Sequence, residues 1–110
     1  IRAVGNQVAE IVADWLEFFY RFHREIGYAG APVHDPCAVA SLLRPELFTR
    51  QAMHVAIETQ GEYCRGCTVG DPSHRLGGDN AICCMNVDRQ GFVDLLVEAV
   101  KFYDGREVPV

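Results

Sequence analysis

Between residues 6 and 26 the apolar side chains fall at Val8, Ile11, Val12, Trp15, Leu16, Phe19, Phe22 and Ile26, with Glu10, Asp14, Glu17 and Arg21 between them. Spacings of three and four residues put the apolar set on one face of a helix and the charges on the other. That face has to be covered by something else. The same interruptions by charge leave no window able to span a bilayer. Gly27 and the "GYAGAP" run end the helix.

The Asp35-Pro36 pair starts a second helix, expected through about Leu43. Asp is a favoured N-cap, and Pro is pre-organised for a first helical turn. Pro45 turns the residue before it out of helix. Beyond it the period changes. Residues 53–59, "MHVAIET", alternate Met53, Val55 and Ile57 against His54, Ala56 and Glu58, which predicts a half-buried strand. Gly61-Glu62 is expected to turn the chain, with residues 63–69, "YCRGCTV", paired back as a hairpin strand. Residues 71–80 have loop composition, "AICCMNVD" alternates again, and residues 91–103 close with an amphipathic helix. This order predicts an α/β or α+β piece with mainly local pairing.

A chain of 110 residues is one domain or less, able to bury roughly two-thirds of its surface in one modest core. A net charge of −5 and scattered Lys and Arg exclude a nucleic-acid binder. No export signal is visible. The chain opens on "IRAVGN" without a methionine, which leads us to expect a piece of a longer polypeptide, with a processed small protein as the rival. Five cysteines in no disulfide-framework spacing suit a reducing cytoplasm.

The residues able to carry chemistry are few. Asp35 is either the N-cap of its helix or a hard oxygen ligand to a cation such as Ca²⁺, which takes roughly six to eight oxygens. One aspartate cannot supply that cage. His34 is either a surface or capping residue or a general acid, a role worth about 10²–10⁴ in rate. The "CRGC" of Cys64 and Cys67 could be half a zinc site completed by His74 with Cys83 or Cys84, or a redox pair. Strand-like flanks that send residues three apart to opposite faces favour buried, inert thiols instead. Phe18, Tyr20 and His23 fall partly off the helix stripe and could face a ligand.

Together, "GAPVHDPCAVASLLRPELF" (residues 30–48), "ETQGEYCRGCTVGD" (58–71) and "NVDRQGFVDLLVEAV" (86–100) resemble the C-terminal part of the inosine–uridine-preferring nucleoside hydrolases. The resemblance runs over essentially all of the chain and implies about the last third of such an enzyme. It implies an open α/β fold with helices packed on a small, mainly antiparallel sheet or hairpin. The implied chemistry is N-glycosidic hydrolysis of ribonucleosides to base and ribose, a nucleoside salvage reaction passing through an oxocarbenium-like state.

Carried over residue by residue, Asp35 would be a ligand to a bound Ca²⁺ that also grips the ribose 2′ and 3′ hydroxyls. His34 would protonate the departing base. Phe19, Phe22, His23 and Tyr28 would border the nucleobase. The family's aspartate cluster, with most calcium ligands and the water-activating base, belongs to the N-terminal part, and no such motif occurs here. The resemblance therefore implies an inactive isolated chain that associates with the missing segment or with further copies of itself. Two rivals stand beside it: a non-catalytic interaction module keeping the same fold, marked by an exposed apolar patch, and a small zinc-binding protein.

Overall fold

The computed structural model describes residues 1–106. Three helices, α1 (Gln7–Glu25), α2 (Asp35–Leu43) and α3 (Arg89–Lys101), accompany three strands, β1 (Phe48–Ile57), β2 (Thr68–Asp71) and β3 (Ala81–Val87). Short 3-10 turns cover Arg2–Val4 and Pro45–Leu47. This is the α/β content expected. The chain divides into two compact units, one of Ile1–Pro45 with the chain from Asp88 on, the other of Glu46–Val87.

In the helical unit, Asn6 caps α1 by accepting from the Ala9 N–H at 2.8 Å. Its Nδ2 donates to the Val100 carbonyl at 3.0 Å, tying the start of α1 to the end of α3. Asp88 caps α3 by accepting from the N–H groups of Gln90 and Gly91, so this helix begins two residues before the predicted start. On the charged side of α1, the Arg2 guanidinium pairs with Glu10, with Asp14 at 2.8 Å and with Glu17 at 3.5 Å. Helix α3 packs against α1 and α2. Ala9, Ala40, Phe92 and Val100 are the buried apolar side chains here.

The stripe on α1 forms as the spacing predicts, but it is not core among the described residues. Trp15 is 69% exposed, Phe19 41%, and Phe22 and Ile26 are more than half exposed. Helical periodicity dictates a face that must pack, and it carries no information on what packs there.

In the sheet unit the strand order is β2-β1-β3, antiparallel throughout. Met53 and Asp71 are its buried side chains. Two expectations fail at the ends of the hairpin. Strand β1 starts at Phe48, five residues before the alternation shows, because Thr49, Arg50 and Gln51 pair with β3 along the backbone ladder while their side chains stay exposed. It stops at Ile57 because the Glu58 carboxylate accepts from the N–H groups of Gln60 (2.7 Å) and Gly61 (2.9 Å) and curls the chain. Those two donors, Gln60 first, hold the Glu58 carboxyl below the usual range.

Residues 63–66 are turn, not strand, and β2 begins only at Thr68. The Cys67 N–H donates to the Cys64 carbonyl at 2.9 Å, and Gly66 takes φ 88°, a conformation glycine adopts without strain. The inert, buried thiols inferred from strand flanks are therefore corrected: Cys64, Cys67 and Cys84 are exposed, and Cys37 and Cys83 are half-buried.

The zinc set does not assemble either. Cys83 and Cys84 pair across β1 at Gln51 and Arg50, whereas Cys67 bonds to Glu58. Seven residues of extended chain from Gln51 to Glu58 cover about 23 Å. No group of three or more His, Cys, Asp or Glu among the described residues is placed to hold a metal.

Candidate active-site corner

Residues 31–34 lead into α2 without regular secondary structure, and His34 is the residue at the helix mouth. It has helical dihedrals (φ −80°, ψ −46°), its carbonyl accepts from the Cys37 N–H at 2.9 Å, and its imidazole makes no cap bond. Asp35 is then the first helical residue and Pro36 the second. The N-cap role considered for Asp35 is thus corrected. Its carboxylate, one position inside the helix, makes no side-chain hydrogen bond or ion pair among the described residues. It still lies in the first turn, where the helix macrodipole favours negative charge. Both side chains are exposed and uncommitted.

They share a cavity of about 190 Å³, lined by Phe19, Pro32, Val33, His34, Asp35 and Pro36. Phe19 arrives from the middle of α1, so the fold brings one of the four candidate base-contacting residues to the His-Asp pair. The other three do not line that cavity and gather around the His23 ring. The His23 ring lies 4.2 Å from the Phe19 ring, 5.2 Å from Phe22 and 5.5 Å from Tyr28, the last two edge-on. Gly27, at φ 93°, allows this by reversing the chain, so that the Tyr28 N–H returns to the His23 carbonyl at 3.0 Å.

His23 Nδ1 stands 3.0 Å from the Phe19 carbonyl. A carbonyl only accepts, so Nδ1 carries the hydrogen and Nε2 of the neutral ring is left as an acceptor. An aromatic wall ending in a free acceptor, joined through Phe19 to the cavity of His34 and Asp35, can stack a flat heterocycle and hydrogen-bond its edge.

Two further apolar hollows flank the corner. One, about 420 Å³, is lined by Val12, Trp15, Leu16, Phe18, Phe19 and Pro36. The other, about 450 Å³, lies along α2 and α3, with Asp35 and Pro36 at its head and Val39, Leu43, Leu95 and Leu96 among its walls. Pro36 borders all three hollows. Its only signal in the sequence was its place behind the aspartate. Of the residues singled out off the stripe, Phe18 does line a hollow; Tyr20 does not line any of these three.

The chain belongs to the inosine-uridine preferring nucleoside hydrolase family, whose model matches residues 1–94. Among the relatives it resembles is the pyrimidine-specific ribonucleoside hydrolase RihA of Escherichia fergusonii. That protein is 52% identical over 105 residues, which are 93% of this chain and 34% of the relative. RihA of Escherichia coli O1:K1 is 51% identical over the same shares. Among solved structures, the purine-preferring ribonucleoside hydrolase from Gardnerella vaginalis matches with a TM-score of 0.74 at 22% identity, over 92% of this chain and 33% of that one. That likeness bears on the fold. The chain spans about a third of the length of the curated relatives it matches. No helix among the described residues is long and apolar enough to cross a membrane.

Proposed function

We propose that this chain is the C-terminal part of a calcium-dependent nucleoside N-ribohydrolase, cleaving purine or pyrimidine ribonucleosides to base and ribose in the cytoplasm. The observation that supports it most is the pair His34 and Asp35, side by side on one cavity wall with neither side chain committed elsewhere.

Asp35 suits a calcium ligand: it is a hard oxygen donor, solvent-facing, and spared from capping. One carboxylate gives at most two of the roughly six to eight oxygens that calcium takes, so the remaining ligands lie outside these residues. Calcium held there would supply positive charge for binding the ribose hydroxyls.

His34 holds the proton that the departing base receives. Loss of the base leaves positive charge on the sugar, and protonating the leaving nitrogen removes the opposing negative charge from the other fragment. Phe19, Phe22 and Tyr28 stack or border the base, and His23 Nε2 accepts from one of its N–H groups. The chain alone is inactive, having no base to activate water. Its exposed Trp15, Phe18 and Leu42 are covered by the missing segment or by another copy.

That same exposure favours a second reading, a non-catalytic interaction module. One experiment separates the two. The chain replaces the matching segment of E. fergusonii RihA, and ribose release from uridine and inosine is followed with calcium and with chelator. We expect chelator-sensitive release by the chimera, none by the isolated chain, and loss in the His34→Ala chimera. A folded chimera without activity, or one indifferent to His34, would exclude the catalytic reading.

A further inference from the structure

The exposed turn at the end of the β1–β2 hairpin carries two thiols that no step of the proposed hydrolysis uses. A β-turn closed by a hydrogen bond from its fourth residue to its first holds the two end Cα atoms within about 7 Å. A disulfide spans Cα separations of about 4.4–6.8 Å. Cys64 and Cys67 are the first and fourth residues of such a turn, closed by the 2.9 Å bond from the Cys67 N–H to the Cys64 carbonyl. Gly66, at φ 88°, is the third residue, the position at which a type II turn calls for glycine.

The turn is also fastened at its base. The Glu58 N–H donates to the Cys67 carbonyl at 2.9 Å, and the Gly66 N–H returns to the Glu58 carbonyl at 2.6 Å. The closed turn therefore keeps the two Cα atoms close to the separation a disulfide spans, and both cysteines are exposed, with Cys67 Sγ 3.8 Å from the Thr68 carbonyl.

No other pair of cysteines among the described residues meets these conditions. Cys83 and Cys84 are neighbours on a strand, so their side chains leave opposite faces. They also pair at the far end of β1 from Glu58. Cys37 is half-buried, with its Sγ 3.3 Å from the Val33 carbonyl.

We propose that Cys64 and Cys67 form a reversible dithiol–disulfide modification site whose reaction partner is a low-molecular-weight disulfide of the glutathione class. In the first step the thiolate of one cysteine attacks a sulfur of glutathione disulfide. One glutathione thiolate leaves, and a protein–glutathione mixed disulfide remains. The thiolate of the second cysteine then attacks the protein-bound sulfur, forming the Cys64–Cys67 bond and expelling the second glutathione. The two thiol protons end on the two released glutathiones, and two electrons pass from the cysteine pair to glutathione disulfide. An exposed bridge of this kind belongs to the readily reduced class, so excess reduced glutathione reverses the reaction.

The native chain is incubated with glutathione disulfide, its free thiols are alkylated, and it is unfolded and cut with trypsin without reductant. Cleavage after Arg65 separates the two cysteines into peptides 51–65 and 66–75, while Cys37, Cys83 and Cys84 fall in other peptides. We expect two of the five thiols to disappear, peptides 51–65 and 66–75 to stay joined until reduced, and no glutathione to be retained. In Cys64→Ser and in Cys67→Ser the second step has no attacking sulfur, so the remaining cysteine of the pair keeps one glutathione. Retention of glutathione by the unaltered chain, a bridge to Cys37, Cys83 or Cys84, or five thiols left free would each overturn the proposal.

Discussion

The side chain of Asn80 closes on the backbone of Val55 from both directions. Its Nδ2 donates to the Val55 carbonyl at 2.9 Å, and its Oδ1 accepts from the Val55 N–H at 2.7 Å. The amide orientation is fixed by this, since a flipped side chain would set donor against donor and acceptor against acceptor. One side chain thus extends the ladder of β1 past the end of β3, and the Asn80 N–H adds a bond to the Met53 carbonyl at 3.2 Å. Asn80→Ala removes both side-chain bonds and is expected to lower stability by about 1–2 kcal/mol. Asn80→Asp keeps the acceptor, loses the donor and sets a carboxylate against a carbonyl. Its denaturant midpoint should also fall. An unchanged midpoint in both variants would show that the bridge contributes nothing.

Asn6 has two separable functions. Its Oδ1 caps α1 at Ala9, and its Nδ2 reaches the Val100 carbonyl near the end of α3. Asn6→Ser retains a capping oxygen and loses only the reach to α3, whereas Asn6→Ala loses both. Caps contribute about 1 kcal/mol, and a hydrogen bond of this kind about as much again. Thermal unfolding should therefore rank the unaltered chain above Asn6→Ser, and Asn6→Ser above Asn6→Ala. Equal losses in the two variants would mean that the link to Val100 does not stabilise the fold.

How much of this was legible differs from element to element. Helices α1 and α3 follow from periodicity and α2 from the Asp35-Pro36 pair at its start, because those signals act within a few turns of chain, while the caps Asn6 and Asp88 are evident only from the structure. The first half of β1 gave no sign of itself: Thr49, Arg50 and Gln51 are held by backbone pairing, which side-chain patterning does not report. Residues 63–67 misled in the opposite sense. Tyr, Cys and Val suit a strand, but a single carboxylate at Glu58 and a positive φ at Gly66 impose a turn. At the site, His34 and Asp35 stand out as a motif, while the arrival of Phe19 depends on the chain reversal at Gly27, a long-range consequence with no local mark.

Asp71 gives the sheet unit its sharpest dependence on pH. It is buried at the end of β2, where its carboxylate accepts from the Ser73 hydroxyl, the Ser73 N–H and the Leu76 N–H. The Ser73 hydroxyl first, and the Leu76 N–H second, pull its pKa from 3.8 down to about 2. A carboxyl depressed on folding adds stability above its unfolded pKa and loses that contribution as the pH falls through its folded one. The chain should therefore outlast Asp71→Asn in urea near neutral pH, with the gap closing as pH drops from about 4 toward 2. A gap that holds its size across this window would contradict the hydrogen-bonding account.

The apolar side chains left in solvent predict how the isolated chain behaves. Trp15 and Phe18 on α1 are 69% and 76% exposed, and Leu42 on α2 is 83% exposed. Apolar surface of this kind is removed from water by association. Sedimentation should show a mass that rises with concentration, and Phe18→Ser combined with Leu42→Ser should shift it toward the monomer without lowering the unfolding midpoint. A monomer at every concentration would remove the argument that these side chains need a cover.

The roles assigned to His34 and Asp35 make different demands on the leaving group, and so they can be told apart in the RihA chimera. A general acid is needed in proportion to the basicity of what leaves. With uridine, His34→Ala should slow the reaction by about 10²–10⁴, roughly 3–5 kcal/mol on the barrier. With 4-nitrophenyl riboside, whose phenolate departs without a proton, the same variant should lose little. On the proposed role, Asp35→Asn should weaken the hold on the ribose, which every substrate shares, so its loss should be similar for both leaving groups and partly recovered by added calcium. Equal losses for His34→Ala on the two substrates would assign the imidazole to positioning and leave the proton to another group.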